Sequence, residues 1–484
     1  MRFYLATLGC KVNQYESQAL REAWLAQDWQ EARTPEQADL IVLNSCAVTA
    51  GAIADLRNRA RRLHRAAPEG AVIITGCAAE ISAEELANLP GVSAVIGQSR
   101  KTELLQVGWE RRILSPADSP AREPGGVRGV SEWEDTAGPF PDFAVSGSER
   151  SRALLKIQDG CSHHCTYCVV PLTRGNARSR NFAEALSEAK RLLASGFREI
   201  VLSGVNLRQY GEDLTEQACR KPAASSGCDF WDLLYRLDRE LRPAWAGRAR
   251  LRVSSLDPGQ LGQKAMDVLG SSRMVAPHLH LSLQSGSSSV LGRMGRGHYR
   301  PEKIPEFFAG LRSCWPTFGL GADILTGFPG ESEAEFQESL SLCRALPLTY
   351  GHVFPYSRRP GTLAAAMGGQ LSEAVKKERS AALRSLIREK KRDFLRMLLD
   401  IPLMRVVFED RSERSGGEGF AEKPRALFFH GLNEFYADCR LETTSAGQVV
   451  PKFRVLSRAR PLRVEDDALL VALAENADTG QGSK

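Results

Sequence analysis

No apolar run in this chain approaches the ~20 residues needed to cross a bilayer. The opening residues, Met1 to Cys10, lack the basic start and long apolar stretch of a secretion signal. Both absences argue against membrane-embedded and exported classes and predict a cytoplasmic protein with no membrane partner. An even set of cysteines is missing too. The chain has 11, and an odd number without a secretion signal argues against a disulfide framework, because reducing cytosol keeps thiols free. Metal or cluster ligation is the better use for them where spacing supports it. Nor does charge of one sign dominate: a formal +6 permits a polyanionic partner without demanding one.

What is present is the composition of a globular protein, 43% hydrophobic and 25% charged. At 484 residues the chain exceeds a single core, so two or three domains are expected. Residues 1–115 alternate short apolar runs with helical patterns. Strand candidates are Phe3 to Leu8, Leu40 to Asn44 and Ala71 to Thr75, with helices over Glu16 to Gln27 and Ala52 to Ala66. That order predicts a parallel α/β domain. Each strand runs into a cysteine, Cys10, Cys46 or Cys77. Strand carboxyl ends share one edge of a parallel sheet, so the three loops can converge on one site.

Prolines and glycines at Pro116, Pro120, Pro124-Gly125-Gly126, Gly138-Pro139 and Pro141 make residues 116–150 a linker. A second series follows over 151–400. Its strands are Ala153 to Gln158, Glu199 to Ser203, Arg250 to Ser254, His278 to Gln284, Gly321 to Gly327 and Gly351 to Pro355. Six parallel strands with intervening helices suit an open, partial (βα) barrel with its site at the strands' carboxyl ends. Gly211 to Gly227 reads as a polar insertion, and Cys219 and Cys228 have no recognisable ligand spacing. Leu371 to Leu399 is a long basic helix ended by Pro402. Five strand-like runs over 401–474 (Met404 to Phe408, Arg425 to Phe429, Glu434 to Leu441, Lys452 to Leu456, Ala468 to Leu473) predict a small β-barrel, and 475–484 a polar tail. The fold class is α/β.

Cys161, Cys165 and Cys168 form CxxxCxxC directly after the strand ending at Gln158. Thiolates are soft ligands suited to zinc or iron–sulfur clusters. Structural zinc takes four protein ligands, and His163 or His164 offers a fourth. Three thiolates on a cubane would leave one iron open. Buried inert thiols are the third reading, and for Cys10, Cys46 and Cys77 taken alone it has equal standing.

CxxxCxxC after the first strand of a barrel resembles the signature of the radical S-adenosylmethionine (SAM) superfamily. Further stretches resemble the methylthiotransferases within it: Thr7-Leu8-Gly9-Cys10-Lys11-Val12-Asn13-Gln14, Asn44-Ser45-Cys46, Gly76-Cys77, Lys156-Ile157-Gln158-Asp159-Gly160-Cys161 and Leu202-Ser203-Gly204-Val205-Asn206. Leu281 to Gly286, Gly327-Phe328-Pro329-Gly330-Glu331 and Pro355 to Thr362 complete the set. The resemblance implies two [4Fe-4S] clusters, one on Cys161, Cys165 and Cys168 and an auxiliary one on Cys10, Cys46 and Cys77. It also implies SAM, split after one-electron reduction to a 5′-deoxyadenosyl radical, with Tyr167, Ser203, Gly204, Ser254, Gln284, Gly327 and Glu331 around it. A low-potential donor such as flavodoxin or ferredoxin would supply the electron. For the glycines of these loops, turn geometry is an equal explanation.

Three branches share this pattern. They act on isopentenyladenosine in tRNA, on threonylcarbamoyladenosine in tRNA, and on an aspartate of a ribosomal protein. The first reads like GCQMN at its first cysteine and the third like GCPKN. Gly9-Cys10-Lys11-Val12-Asn13 resembles the threonylcarbamoyladenosine branch, which implies a 2-methylthio product at tRNA position 37. Basic runs at Arg57, Arg59, Arg61, Arg62 and Arg65, and at Arg174, Arg178 and Arg180, suit RNA phosphates or are solvated faces. The carboxyl-terminal barrel resembles the RNA-binding TRAM domain, although its glycine-rich opening is poor and Arg411 to Lys423 reads as an added loop.

Overall fold

The computed structural model describes residues 1–47, 50–114, 139–148, 150–215, 228–414, 427–443, 451 and 453–474. Cys219, most of the polar insertion, much of the linker and the tail lie outside them. Among the described residues no helix is long and apolar enough to cross a membrane.

Leu40–Ser45 is buried at every position, as a strand covered on both faces must be. It is β3 of a five-stranded parallel sheet in the order β2-β1-β3-β4-β5, the others being Arg2–Thr7 (β1), Gln30–Glu31 (β2), Ala71–Gly76 (β4) and Val92–Gly97 (β5). Helix α1 (Lys11–Leu25) begins directly after Cys10. Its buried Val12, Tyr15, Ala19, Leu20 and Trp24 recur at helical spacing and form the face laid on the sheet. Helix α2 (Ala50–Ala66) buries Leu56, Ala60 and Leu63 and leaves Arg61, Arg62 and Arg65 exposed. The described part of the linker is docked: Phe143 is buried, its carbonyl accepts from the Tyr15 hydroxyl, and Glu22 accepts from Ser146 and Gly147 N–H.

The second series forms Ala153–Lys156 (β6), a short antiparallel pair Gln158–Asp159 (β7) and Arg178–Ser179 (β8), then Glu199–Ser203 (β9) and Arg250–Val253 (β10). Ser255–Leu256 (β11), His278–Gln284 (β12), Gly319–Thr326 (β13) and Tyr350–Pro355 (β14) follow. Parallel pairing runs β6-β9-β10, then β11-β12-β13-β14. The third strand breaks at Ser254, so one half pairs backward and the other forward around an open barrel. A continuous apolar core joins Phe3, Tyr15 and Trp24 of the first sheet to Leu155, Leu202 and Leu281 of the barrel.

The long helix Glu373–Met397 is capped by the Ser372 hydroxyl and packs on β14. Beyond it Met404–Arg414 (β15), Leu427–Leu432 (β16), Asp438–Thr443 (β17), Leu456–Glu465 (β18) and Ala468–Leu473 (β19) close a barrel in the order β15-β16-β17-β19-β18. Three sequence expectations shift here. Of Lys452 to Leu456, Lys452 lies outside the described residues, Phe453 to Val455 form a turn and Leu456 opens β18; Glu434 to Ala437 form a turn before β17; and Arg411 to Arg414 continue β15 instead of opening a loop.

Candidate functional site

Strand register assembles the first trio of thiols. Thr7 pairs with Asn44, and Asn44 with Thr75, so β1, β3 and β4 end level and Cys10, Cys46 and Cys77 follow on one edge. Glycine makes the approach possible. At Gly9, with φ +102, a Cβ would lie 2.8 Å from the Cys46 sulfur, and at Gly76, with φ +98, one would lie 2.4 Å from the Ser45 carbonyl. Cys46 and Cys77 are buried while Cys10 is exposed.

The second trio follows β7. Gln158 shapes that turn: its amide donates to the carbonyls of Asp159 and Gly160, and its oxygen accepts from Val205 and Asn206 N–H. The Asn206 amide reaches the Cys161 sulfur at 3.4 Å, and Val170 N–H reaches that of Cys168 at 3.4 Å. Burial pushes the thiols of Cys161 and Cys165 up and that of Cys168 to about 12. Binding a metal there must therefore release protons that burial otherwise retains.

The donor sets fit a cluster better than a single ion. A tetrahedral zinc with Zn–S near 2.3 Å would draw its sulfurs to about 3.8 Å apart. Among the described residues the only three-ligand group lying within 4.8 Å is His280, Asp323 and His352, so neither thiol trio is contracted in that way. His163 is also spoken for: its Nε2 meets His298 Nδ1 at 3.1 Å, and His298 Nε2 meets Asp257 at 2.8 Å. Burial lowers the His163 pKa, and His298 and Arg208 lower it further. Thiolates on separate corners of a cube need no close contact, which suits both trios.

A buried ion network joins the two. Glu16 of α1 accepts from Lys101, Lys156 and Arg174, and Asp159 accepts from Lys156 and Arg174, all at 2.6–2.8 Å. Asn13 also accepts from Arg174. Burial would raise the Glu16 carboxyl, but Arg174, Lys101 and Lys156 hold it well below the carboxylate range. Three cations on two carboxylates leave positive charge in excess, and Lys101 and Arg174 lie within electrostatic reach of Cys77. The helix Val170–Arg174, directly after the second trio, packs on helix α3 (Cys77–Ile81), which begins with the last thiol of the first. The two trios thus share one wall.

The remaining expected residues divide. Tyr167 is half-buried within reach of Arg296, Cys165 and Cys168. Ser254 sits at the strand break, and its buried hydroxyl has no hydrogen-bond partner among the described residues. Gln284 has φ 60 at a register shift between β12 and β13, a strained backbone where strain signals use. Ser203 ends β9 and Gly204 follows it, where a Cβ would crowd Gln158 at 2.9 Å. Gly327 and Glu331 are placed differently. The Glu331 carboxylate accepts from Gly327 N–H at 2.7 Å and from Arg379 at 2.8 Å, and a Cβ on Gly327 would strike Lys376. Both brace the loop against the long helix.

Arg174, Arg178 and Arg180 correct the expectation of a basic surface after the cluster loop. Arg174 is 1% and Arg180 5% exposed, the latter paired to Glu188. Arg178 donates to the Arg174 carbonyl. These charges build the interface instead. The α2 arginines behave otherwise: Arg59, Arg61, Arg62 and Arg65 line a groove of about 500 Å³ that includes Leu8, next to the first trio. The Asp257–Arg296–His298 group beneath the cluster loop escaped sequence reading, since no spacing links those positions.

Residues 2–97 match a family described as Uncharacterized protein family UPF0004, and residues 155–343 match the Radical SAM superfamily. Threonylcarbamoyladenosine tRNA methylthiotransferase MtaB of Bacillus subtilis (strain 168) is 32% identical over 88% of this chain and 90% of its own. The same-named protein of Aquifex aeolicus (strain VF5) is 34% identical over 81% and 90%. The tRNA-2-methylthio-N(6)-dimethylallyladenosine synthase of Sphingopyxis alaskensis is 32% identical over 86% and 88%. Among solved structures, the radical S-adenosylmethionine methyltransferase TsrM from Kitasatospora setae shares the fold, with TM-score 0.52 and 15% identity over 75% of this chain and 77% of that one. With identity of this order across most of its length and both trios in place, the chain belongs to the radical SAM methylthiotransferase family.

Proposed function

We propose that this chain is a tRNA methylthiotransferase of the MtaB type, converting threonylcarbamoyladenosine at position 37 to its 2-methylthio derivative. The observation that carries the reading is the pairing of two thiol trios across a buried interface. A single trio would suffice for SAM cleavage alone. Cys161, Cys165 and Cys168 would hold one [4Fe-4S] cluster, and Cys10, Cys46 and Cys77 the other. Bound there, the clusters and SAM supply one-electron chemistry and sulfur delivery. The protein's own work is placement: Asn206 and Val170 orient two sulfurs, the Glu16 network fixes the spacing, and Tyr167, Ser203, Gly204, Ser254 and Gln284 border the SAM position. A low-potential donor such as flavodoxin or ferredoxin would supply the electron, in the cytoplasm, where tRNA is modified.

The substrate assignment is supported by the MtaB relatives and by Lys11 after the first cysteine. Mass spectrometry of tRNA nucleosides from a deletion strain tests it. Loss of 2-methylthio-threonylcarbamoyladenosine is the expected result. Its persistence, with loss of the dimethylallyl product or of ribosomal protein methylthiolation, would move the enzyme to another branch.

A further inference from the structure

All three parts of the chain contribute to a second cleft, walled by β12, β13 and β14. His278 Nε2 and His280 Nδ1 both meet the Tyr350 hydroxyl, at 2.8 and 2.9 Å, and Asp323 lies 3.1 Å from His280 and 2.9 Å from His352. From the carboxyl-terminal barrel, Tyr436 stacks on His278 with ring centroids 4.6 Å apart. Arg152 and Arg252 lie over the Tyr436 ring at 5.8 and 5.2 Å. From the amino-terminal domain, the Lys11 ammonium comes within electrostatic reach of Tyr436, Arg152, Arg252, Asp323 and His278. The wall is open to solvent at His352, whose side chain is 57% exposed, while His278 and His280 are buried.

Charge decides what this cleft takes. Glu199 is shared by Arg250 and Arg252, whose other donors go to main-chain carbonyls. Asp323 is held between two histidines. Arg152 feels Glu199 as well, hydrogen-bonds Tyr436 and lies 3.7 Å from Glu409. The Lys11 ammonium has no hydrogen-bond or ion-pair partner among the described residues. His280, Asp323 and His352 have the make-up of a divalent-cation site, but a cation would enter beside Lys11, Arg152 and Arg252. The arginines and carboxylates here offset one another, Glu434 included, which leaves the Lys11 ammonium to call for an anion.

We propose that Lys11 is a specificity-determining residue that pairs with a carboxylate on the N6 substituent of the substrate adenosine. This rests on the function proposed above. A threonylcarbamoyl group carries such a carboxylate, whereas a dimethylallyl group carries none and would leave Lys11 unpaired.

The test uses enzyme with both clusters reconstituted and two tRNA substrates, one bearing threonylcarbamoyladenosine and one its neutral methyl ester. Lys11→Met should raise KM for the carboxylate substrate about tenfold or more, as loss of a partly desolvated charge pair does. For the ester, KM should change little, and Lys11→Arg should recover much of the loss. Equal losses on both substrates, or none on either, would overturn the assignment. So would a parallel rise in the Kd of SAM, which would place Lys11 on the methionine carboxylate instead. If the wild type methylthiolates only dimethylallyl-tRNA, the function itself falls. If it turns over the threonylcarbamoyl substrate and Lys11→Met does too at unchanged KM, only the role of Lys11 falls.

Discussion

Lys156, at the end of the barrel's first strand, donates to Glu16 of α1 at 2.7 Å, with neither side chain exposed to solvent. Glu16 lies one helical stretch beyond Cys10, and Lys156 shortly precedes Cys161. The contact therefore sets how far apart the two thiol trios stand. Glu16→Gln would leave Lys156 and Arg174 with Asp159 as their only carboxylate, and Lys101 with none in contact. Breaking a buried pair this way costs ~3–5 kcal/mol. Urea unfolding of the cluster-free protein should show a loss of that size, and the reconstituted variant should lose methylthio transfer more than SAM cleavage. A loss under ~1 kcal/mol, within the range of exposed pairs, would show that the network does not clamp the interface.

The same network predicts a pH dependence. Burial alone would raise the Asp159 carboxyl, but Arg174 and Lys156 hold it at about 2. An unfolded aspartate titrates near ~3.9. A depressed folded value stabilises fully above the unfolded value, and that contribution disappears as pH falls through the folded one. Wild-type stability should drop between pH ~4 and ~2, and Asp159→Asn should remove that share of the slope while lowering stability at neutral pH. Identical slopes in the two proteins would contradict the assignment.

The strand ends with their cysteines were legible in the sequence because a buried parallel strand announces itself as an unbroken apolar run. Leu40–Ser45 is such a run. Glu16, Lys101, Lys156, Asp159 and Arg174 were not legible as a group. Charged residues distant in sequence look like solvated surface until two domains close over them, which is why Arg174 and Arg180 suggested an RNA face and turned out buried. The change of partner at Ser254 was hidden for another reason: a strand that switches neighbours midway keeps its apolar pattern. Tyr436 sits in a turn with φ 66 and carried no signal of its contact with His278.

Separate substitution of the two trios distinguishes their duties. Replacing Cys161, Cys165 and Cys168 by Ala should abolish 5′-deoxyadenosine formation. Replacing Cys10, Cys46 and Cys77 should leave that cleavage in place and stop methylthiolation. Iron should fall from roughly eight to roughly four atoms per chain in either variant if each cluster is a four-iron cube. If the second set changed neither iron nor product, the auxiliary site would be wrong.

The groove beside α2 makes the last prediction. Arg61, Arg62 and Arg65 are exposed and line it with Arg59 and Leu8, so a polyanion seated there would pass directly beside the first trio. Phosphate neutralisation releases counterions, and log affinity then falls with log salt by ~0.7–0.9 per contact. Arg61→Glu with Arg62→Glu should weaken tRNA binding and flatten the salt dependence by about 1.4–1.8 if both arginines meet phosphates. SAM cleavage without tRNA should be untouched, since neither side chain belongs to the cluster loop or the ion network. Arg180 offers the contrast. Because it is buried against Glu188, its replacement should lower stability and leave the salt slope alone. Equal slopes in wild type and the double variant would place the RNA path elsewhere on the protein.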